Sequence, residues 1–252
     1  MMKVVISPAK SLDFESQVPT EDYSTCSFLD KSEKINNTLK KQSAKKLAQL
    51  MSISKDLSEL NYQRNQEWHL PFTQENARQA IFAFNGDVYV GLDPYSIPQE
   101  KMVDLQNKIR ILSGLYGMLK PLDLIQPYRL EMGTKLKIGR KDNLYQYWKE
   151  EITKSLNEEL EGDPLINLAS AEYFKVIDQK KLKSEIITPE FKDFHQGKLK
   201  MIGFFAKKAR GAMARFVVEK GIDHPKELKT FDWEGYSFDD NLSSANKWVF
   251  TR

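Results

Sequence analysis

Lys207, Lys208, Arg210 and Arg215 stand together in FFAKKARGAMAR (residues 204–215), among alanines and a glycine, with Glu219 the one acid within a helical turn. Clustered cations of this kind hold anions, phosphate above all, through charge-assisted hydrogen bonds. The apolar run KLKMIGFFA before them predicts a strand ending at Ala206 and a helix that opens near Lys207 and closes at Lys220, with Gly221 as its C-terminal cap. A helix start carries about half a positive charge and normally attracts Asp or Glu. Lysines there are out of place unless an anion docks on them, so the junction reads as a phosphate-type site. With helical periodicity, Ala209, Ala212, Met213 and Phe216 form a buried stripe, and Lys207, Lys208, Gly211 and Arg215 form the opposite one. A glycine in that basic stripe either admits a bulky partner to the backbone or packs against a neighbouring element.

A second cation follows a strand. KVVIS is a short β-branched run, and Lys10 lies in the SPAKSLD loop after it. Ligands of α/β proteins bind at such strand ends. Arg129, in PYRLEMG beside Glu131, fits either a structural ion pair or an oriented phosphate clamp. Ser7, Glu131 and Tyr173 complete the set of candidate pocket residues.

The stretch LAQLMSISKDLSEL has the outline of a helix-hairpin-helix, whose turn amides bind duplex phosphates without reading bases. Its turn carries Ser52, Ile53, Ser54 and Lys55, with serines where that motif uses glycines. LSGLYGML at 112–119 is a rival with true glycines in a more apolar setting. Two helices joined by a capped turn are also common without any such role.

Basic blocks recur along the chain. Residues 40–55 hold five lysines and no acid, 129–141 five basic residues and one acid, and 197–220 seven and one. Residues 142–163 reverse this, with seven acids and two lysines. One block alone is a solvated face; three suggest a cationic side and an acidic side, although the net charge is only +3. The single cysteine, Cys26, excludes an internal disulfide and a cysteine metal cage. His69, His195 and His224 are scattered without metal-ligand spacing, so no metal or other cofactor is expected. Phosphate-binding Walker loops, nucleophile elbows and zinc-protease motifs are all missing. The opening MKVVISPAK lacks a signal-peptide layout and no apolar run approaches a membrane span, so a soluble, cytoplasmic protein without membrane contact is expected.

The elements that must position these residues read as one mixed α/β domain over residues 1–252, with a mixed sheet surrounded by helices. Residues 28–68 are helical with breaks, Ser43 and Ser54 serving as N-caps. Thr73 starts a helix through QENARQAIF, NGD at 85–87 marks a turn, and Ser96 and Pro98 open a helix over QEKMVDLQNKIRIL. The Pro-rich KPLDLIQPYRLEMG is an ordered loop. NLYQYWKEEITKSLNEEL places apolar residues at 144, 148, 152, 156 and 160, an amphipathic helix with an acidic outer face. PLINLAS is a buried strand, with Ser170 capping AEYFKVI; a hairpin around HQGK and terminal strands in DWEGYSF and KWVFTR complete the set.

ISPAKSLDF, ILSGLYGMLKPLDLIQPYRLEMG, LYQYW, INLASAEYFK and AKKARGAMARF, in this order, closely resemble the YaaA family of bacterial peroxide-stress proteins over essentially the whole chain. The resemblance implies a single-domain mixed α/β fold with a positively charged cleft and a helix-hairpin-helix element. It also implies binding to duplex and branched DNA and a role in limiting iron-linked oxidative damage. By motif, the cleft residues would be Lys10, Arg129, Lys207, Lys208, Arg210 and Arg215, with the hairpin at 52–55. The leading expectation is a DNA-binding protein that does not read sequence. The alternative is an enzyme acting on a phosphorylated small molecule or a nucleic-acid end, with Glu131 or Tyr173 moving protons. A third reading is a module whose basic face meets an acidic protein.

Overall fold

The structure is a computed structural model that describes residues 1–252. In chain order the first elements are β1 (Lys3–Ile6), β2 (Ser11–Leu12), α1 (Leu29–Lys40), α2 (Ala44–Met51), α3 (Lys55–Glu67), β3 (Arg78–Gln79), α4 (Ala80–Ala83), β4 (Phe84–Asn85), α5 (Asp87–Leu92) and α6 (Met102–Lys108). Then follow β5 (Ile109–Ser113), β6 (Gly117–Leu119), β7 (Leu124–Ile125), α7 (Leu144–Leu160), β8 (Leu165–Asn167) and α8 (Ala171–Phe174). The chain closes with β9 (Ile186–His195), β10 (Lys198–Lys200), α9 (Gly203–Glu219), β11 (Ser237–Asp239) and β12 (Lys247–Thr251).

Eight strands make one mixed sheet in the order β11-β12-β9-β8-β1-β5-β6, with β10 hairpinned onto β9. The run β12-β9-β8-β1-β5 is parallel; β6, β10 and β11 are antiparallel to their neighbours. Val4 is paired with Ile109 on one side and Ile166 on the other, and all four residues of β1 are buried, as a strand covered on both faces requires. From β1 the chain goes out to β5 on one flank and later returns to β8 on the other. Outside the carboxyl ends of strands at such a reversal, the loops diverge and leave a crevice. One continuous core of 64 buried residues spans both sides of the sheet and supports a single domain.

Several elements form as their sequences dictate. Leu144, Trp148, Ile152, Leu156 and Leu160 are all buried along α7. Ser43, Ser54 and Ser170 accept hydrogen bonds from the backbone N–H groups of Lys46, Leu57 and Tyr173, so each serves as the expected N-cap. The C-terminal cap of α9 also falls where expected, with Gly221 at φ +64.

Three expectations fail. The helix foreseen through residues 99–112 is only a 3-10 turn and the two turns of α6, and IRILS is strand β5, central to the sheet. Its charges concealed it: Lys108 and Arg110 are buried, the first paired to Asp223 at 2.9 Å and the second to Glu159 at 2.6 Å. The helix foreseen from Thr73 is broken by β3, because Arg78 donates to Ser16 and Tyr95 while Gln79 donates to the carbonyls of Thr20 and Asp22. Finally, α9 begins at Gly203, and β10 stops at Lys200. Lys207 and Lys208 therefore sit a full turn inside the helix, away from its free amides.

Asp123, buried in the turn before β7, accepts from Ser24 Oγ at 2.6 Å and from Lys120 N at 2.8 Å. Burial outweighs these bonds and raises its pKa from 3.8 to about 6. Between those two values the folded state binds more protons than the unfolded one, so this residue's contribution to stability falls as pH rises. Unfolding in urea from pH 4 to 6 should show wild type losing stability relative to Asp123→Asn. Parallel pH profiles would show that the carboxyl is not perturbed.

Candidate functional site

The loops after β1 and β8 do part, and between them lies a cleft of about 510 Å³. Ser7 and Lys10 line it from the β1 end, Ser170, Glu172 and Tyr173 from the β8 end. Asn85, Gly86, Asp87 and Tyr89 form a third side, Glu131 a fourth, and Lys207 and Arg210 enter from α9. Residues from five separate parts of the chain thus converge where the sheet topology places a ligand. Larger surface hollows, of about 800 and 760 Å³, contain none of the candidate phosphate-binding or pocket residues.

Local bonds fix the walls. Ser7 Oγ accepts from Ser170 N at 2.9 Å and Ser7 O from Tyr89 OH at 3.1 Å, so one serine ties the β1 loop to both neighbours. Glu172 Oε1 accepts from Gly133 N at 2.9 Å. Lys10 Nζ lies 2.9 Å from Glu131 Oε2, and Arg129 reaches the other oxygen of Glu131 at 3.5 Å. Arg129 does not line the cleft; it stands behind Glu131, largely buried, with its Nε unpartnered. Lys207 Nζ lies 3.4 Å from Asp87 Oδ2. Burial raises the Tyr173 pKa well above that of a free phenol, and the nearby Tyr128, Glu172 and Glu131 add to it. At neutral pH its hydroxyl is therefore a hydrogen-bond donor, not a base.

The lining carries Lys10, Lys207 and Arg210 against Asp87, Glu131 and Glu172, three charges of each sign. Two of the cations are answered by carboxylates. Arg210 is not: burial lowers its pKa, and the acid that acts on it, Glu190, is itself bonded to Lys247 at 2.8 Å. No three His, Cys, Asp or Glu side chains converge as a metal-ligand set.

Other candidates lie elsewhere. Lys208 Nζ bonds Glu234 at 3.0 Å, outside the cleft. Arg215 bonds Glu219, Asp93 and Ser96 and the carbonyls of Leu92 and Asp93. The stripe of Lys207, Lys208, Gly211 and Arg215 is consequently a seam onto α5, not an open basic face. A Cβ on Gly211 would come within 1.8 Å of Val88 O, and one on Gly91 within 2.0 Å of Lys208 O. The bulky partner admitted by Gly211 is helix α5.

The segment Ser52, Ile53, Ser54 does join α2 to α3, with Ser52 left-handed at φ 53. The N–H groups of Ser52 and Ile53 both close on Ala48 O, and Ser54 Oγ caps α3. Ser52, Ser54 and Lys55 do not line the cleft. Cys26 is buried, with its thiol pKa pushed up by burial. Sequence reading missed Asn85, Asp87 and Glu172. Asp87 and Glu172 each sit in the first turn of a short helix, where an acid is explained by the helix dipole alone.

A parallel-centred mixed sheet covered by helices, with a charge-lined cleft at its topological reversal, places the protein in the α/β class. The chain belongs to the peroxide stress protein YaaA family, whose profile matches residues 2–242. It is 56% identical to a UPF0246 protein of Flavobacterium johnsoniae and 58% identical to one of Flavobacterium psychrophilum, each over all of both chains. A UPF0246 protein of Hahella chejuensis is 50% identical over all of this chain and 99% of its own. No helix is long and apolar enough to cross a membrane.

Proposed function

We propose that the protein serves the peroxide-stress response by binding DNA, duplex or branched, without reading sequence, and that the cleft holds one backbone phosphate. Shielding DNA from iron-linked oxidative damage would follow from that binding. The observation that carries the reading is Arg210, a half-buried guanidinium on the cleft wall without a carboxylate of its own. A guanidinium partly withdrawn from water and without a carboxylate is open to an anion, and its planar fork matches a phosphate. Lys10 and Lys207 flank it and can turn to the same group.

The test is binding to a labelled duplex and a four-way junction across a salt series, with wild type beside Arg210→Glu and Lys208→Glu. Wild-type affinity should fall steeply with salt. Arg210→Glu should weaken binding roughly tenfold or more and reduce the salt slope by about one. Lys208→Glu, outside the cleft, should change little. A flat salt response, or equal behaviour of all three proteins, would remove the phosphate reading.

A second reading is favoured by the size and lining of the cleft. Six groups able to donate, accept or hold a charge, namely Ser7, Lys10, Glu131, Glu172, Tyr173 and Arg210, surround a compact volume of about 510 Å³. That suits an enzyme acting on a phosphorylated small molecule or a nucleic-acid end, with Glu131 as base and the Tyr173 hydroxyl as donor. Inorganic phosphate or a nucleotide protecting Arg210 from guanidine-directed modification, with no DNA retained, would favour this reading.

A further inference from the structure

Five large apolar side chains are exposed within a short stretch: Phe194, Leu199, Met201, Phe204 and Phe205. They lie on the β9–β10 hairpin, in the link after it and on the first turn of α9. Exposed apolar groups that cluster in this way mark a contact surface. Phe204 is 57% exposed and stands one turn before Lys207, which lines the cleft, so the two are neighbours on the surface of α9. Its neighbour Phe205 is less exposed and has the Arg252 guanidinium 4.7 Å from its ring centre. Phe204 meets Phe205 edge-on at 5.7 Å and is the more exposed of the two rings.

The surrounding charge selects the partner. Residues 192–210 hold Lys192, Lys198, Lys200, Lys207, Lys208 and Arg210 against a single acid, Asp193, with Lys207 and Lys208 paired to Asp87 and Glu234 from outside the stretch. Asp193 is buried and bonded to Arg252 and Tyr236. An exposed aromatic amid cations, beside a cleft with a free guanidinium, matches single-stranded nucleic acid: phosphates for the cations, a flat base for the ring. We propose that Phe204 is a stacking platform for an unpaired base of the strand whose phosphate lies in the cleft. This rests on the phosphate reading above and narrows it to ends, junctions or single-stranded stretches, where a base is free to leave its stack. The sequence alone gave no sign of such a platform, because the aromatic residues are spread along the chain and the exposure of Phe204 arises only when α9 begins early.

The experiment compares a short oligothymidylate with a strand of equal length built from abasic sugar-phosphate units. Wild type, Phe204→Ala, Phe204→Trp and Arg210→Glu are each measured by fluorescence anisotropy. Wild type should prefer the base-bearing strand roughly tenfold, in line with one stacked base. Phe204→Ala should erase that preference while leaving abasic-strand affinity unchanged, and Phe204→Trp should retain it. Arg210→Glu should weaken both strands alike. Equal, salt-dependent binding of both strands by wild type would overturn the stacking inference and leave the phosphate reading standing. Salt-independent binding, or none, to either strand would overturn both. Sedimentation of the same variants supplies a further check: a wild-type dimer that Phe204→Ala converts to monomer would assign the ring to a contact between copies, and co-flotation with anionic vesicles lost in Phe204→Ala would assign it to a membrane surface. Either result overturns the proposal.

Discussion

Gly211→Ala should destabilise the fold by about 3 kcal/mol, read as a lower urea midpoint at unchanged slope. The added methyl would lie 1.8 Å from Val88 O and 2.7 Å from Leu92 N, which are backbone atoms of α5 that no side-chain rotation can clear. Alanine's better helix propensity returns about 1 kcal/mol at most, far less than forcing the helices apart costs. The reciprocal contact, Gly91 on Lys208 O, leaves α5 no direction in which to slide. Asp87 and Tyr89 of α5 line the cleft, so phosphate or DNA binding should fall with stability. Gly203→Ala is the control, since a methyl there meets nothing within 4 Å. If Gly211→Ala proved as stable as Gly203→Ala, the helices would not be locked through their glycines.

Arg215→Ala should also cost about 3 kcal/mol, and it should do so without touching DNA affinity in the protein that remains folded. Arg215 Nε bonds Glu219 at 2.7 Å, while its NH1 bonds Ser96 Oγ at 2.7 Å and Asp93 O at 2.9 Å. These acceptors include the last carbonyl of α5, that of Leu92, which would be left without a partner. Arg215→Lys should recover little, because an ammonium cannot reproduce a fork that spans several acceptors. Melting curves and DNA titrations on the same samples decide the matter. Lost binding at unchanged stability would make Arg215 a ligand contact after all.

Parts of this molecule were legible because a single period or cap settled them. The stripe of five apolar residues in α7 could bury in only one way, and the serines before α2, α3 and α8 could each cap a helix. Strand β5 was illegible because Lys108, just before it, and Arg110, within it, are neutralised by Asp223 and Glu159, residues remote in sequence. The start of α9 was misjudged because MIGFF has strand-forming residues, yet the hairpin partner runs out at Lys200. At the cleft, Lys10, Glu131, Tyr173, Lys207 and Arg210 could be named by type and by position near strand ends. That they share one cavity, that Lys208 and Arg215 face elsewhere, and that Asp87 and Glu172 join them are consequences of helix packing, which a local pattern does not encode.

The line Arg129–Glu131–Lys10 gives the cleft the character of an ion-exchange site. Glu131 already pairs with Lys10 on one oxygen and Arg129 on the other, so on the phosphate reading an incoming anion would compete with a resident carboxylate for Lys10. A singly charged backbone phosphate would meet Glu131 on equal charge and rely on Arg210 for its hold, whereas a doubly charged terminal phosphate would displace Glu131 more readily. Once displaced, the Glu131 oxygen is no longer quenched by the ammonium and faces the group that displaced it. On the enzyme reading, occupancy and the unmasking of a proton acceptor would become one event.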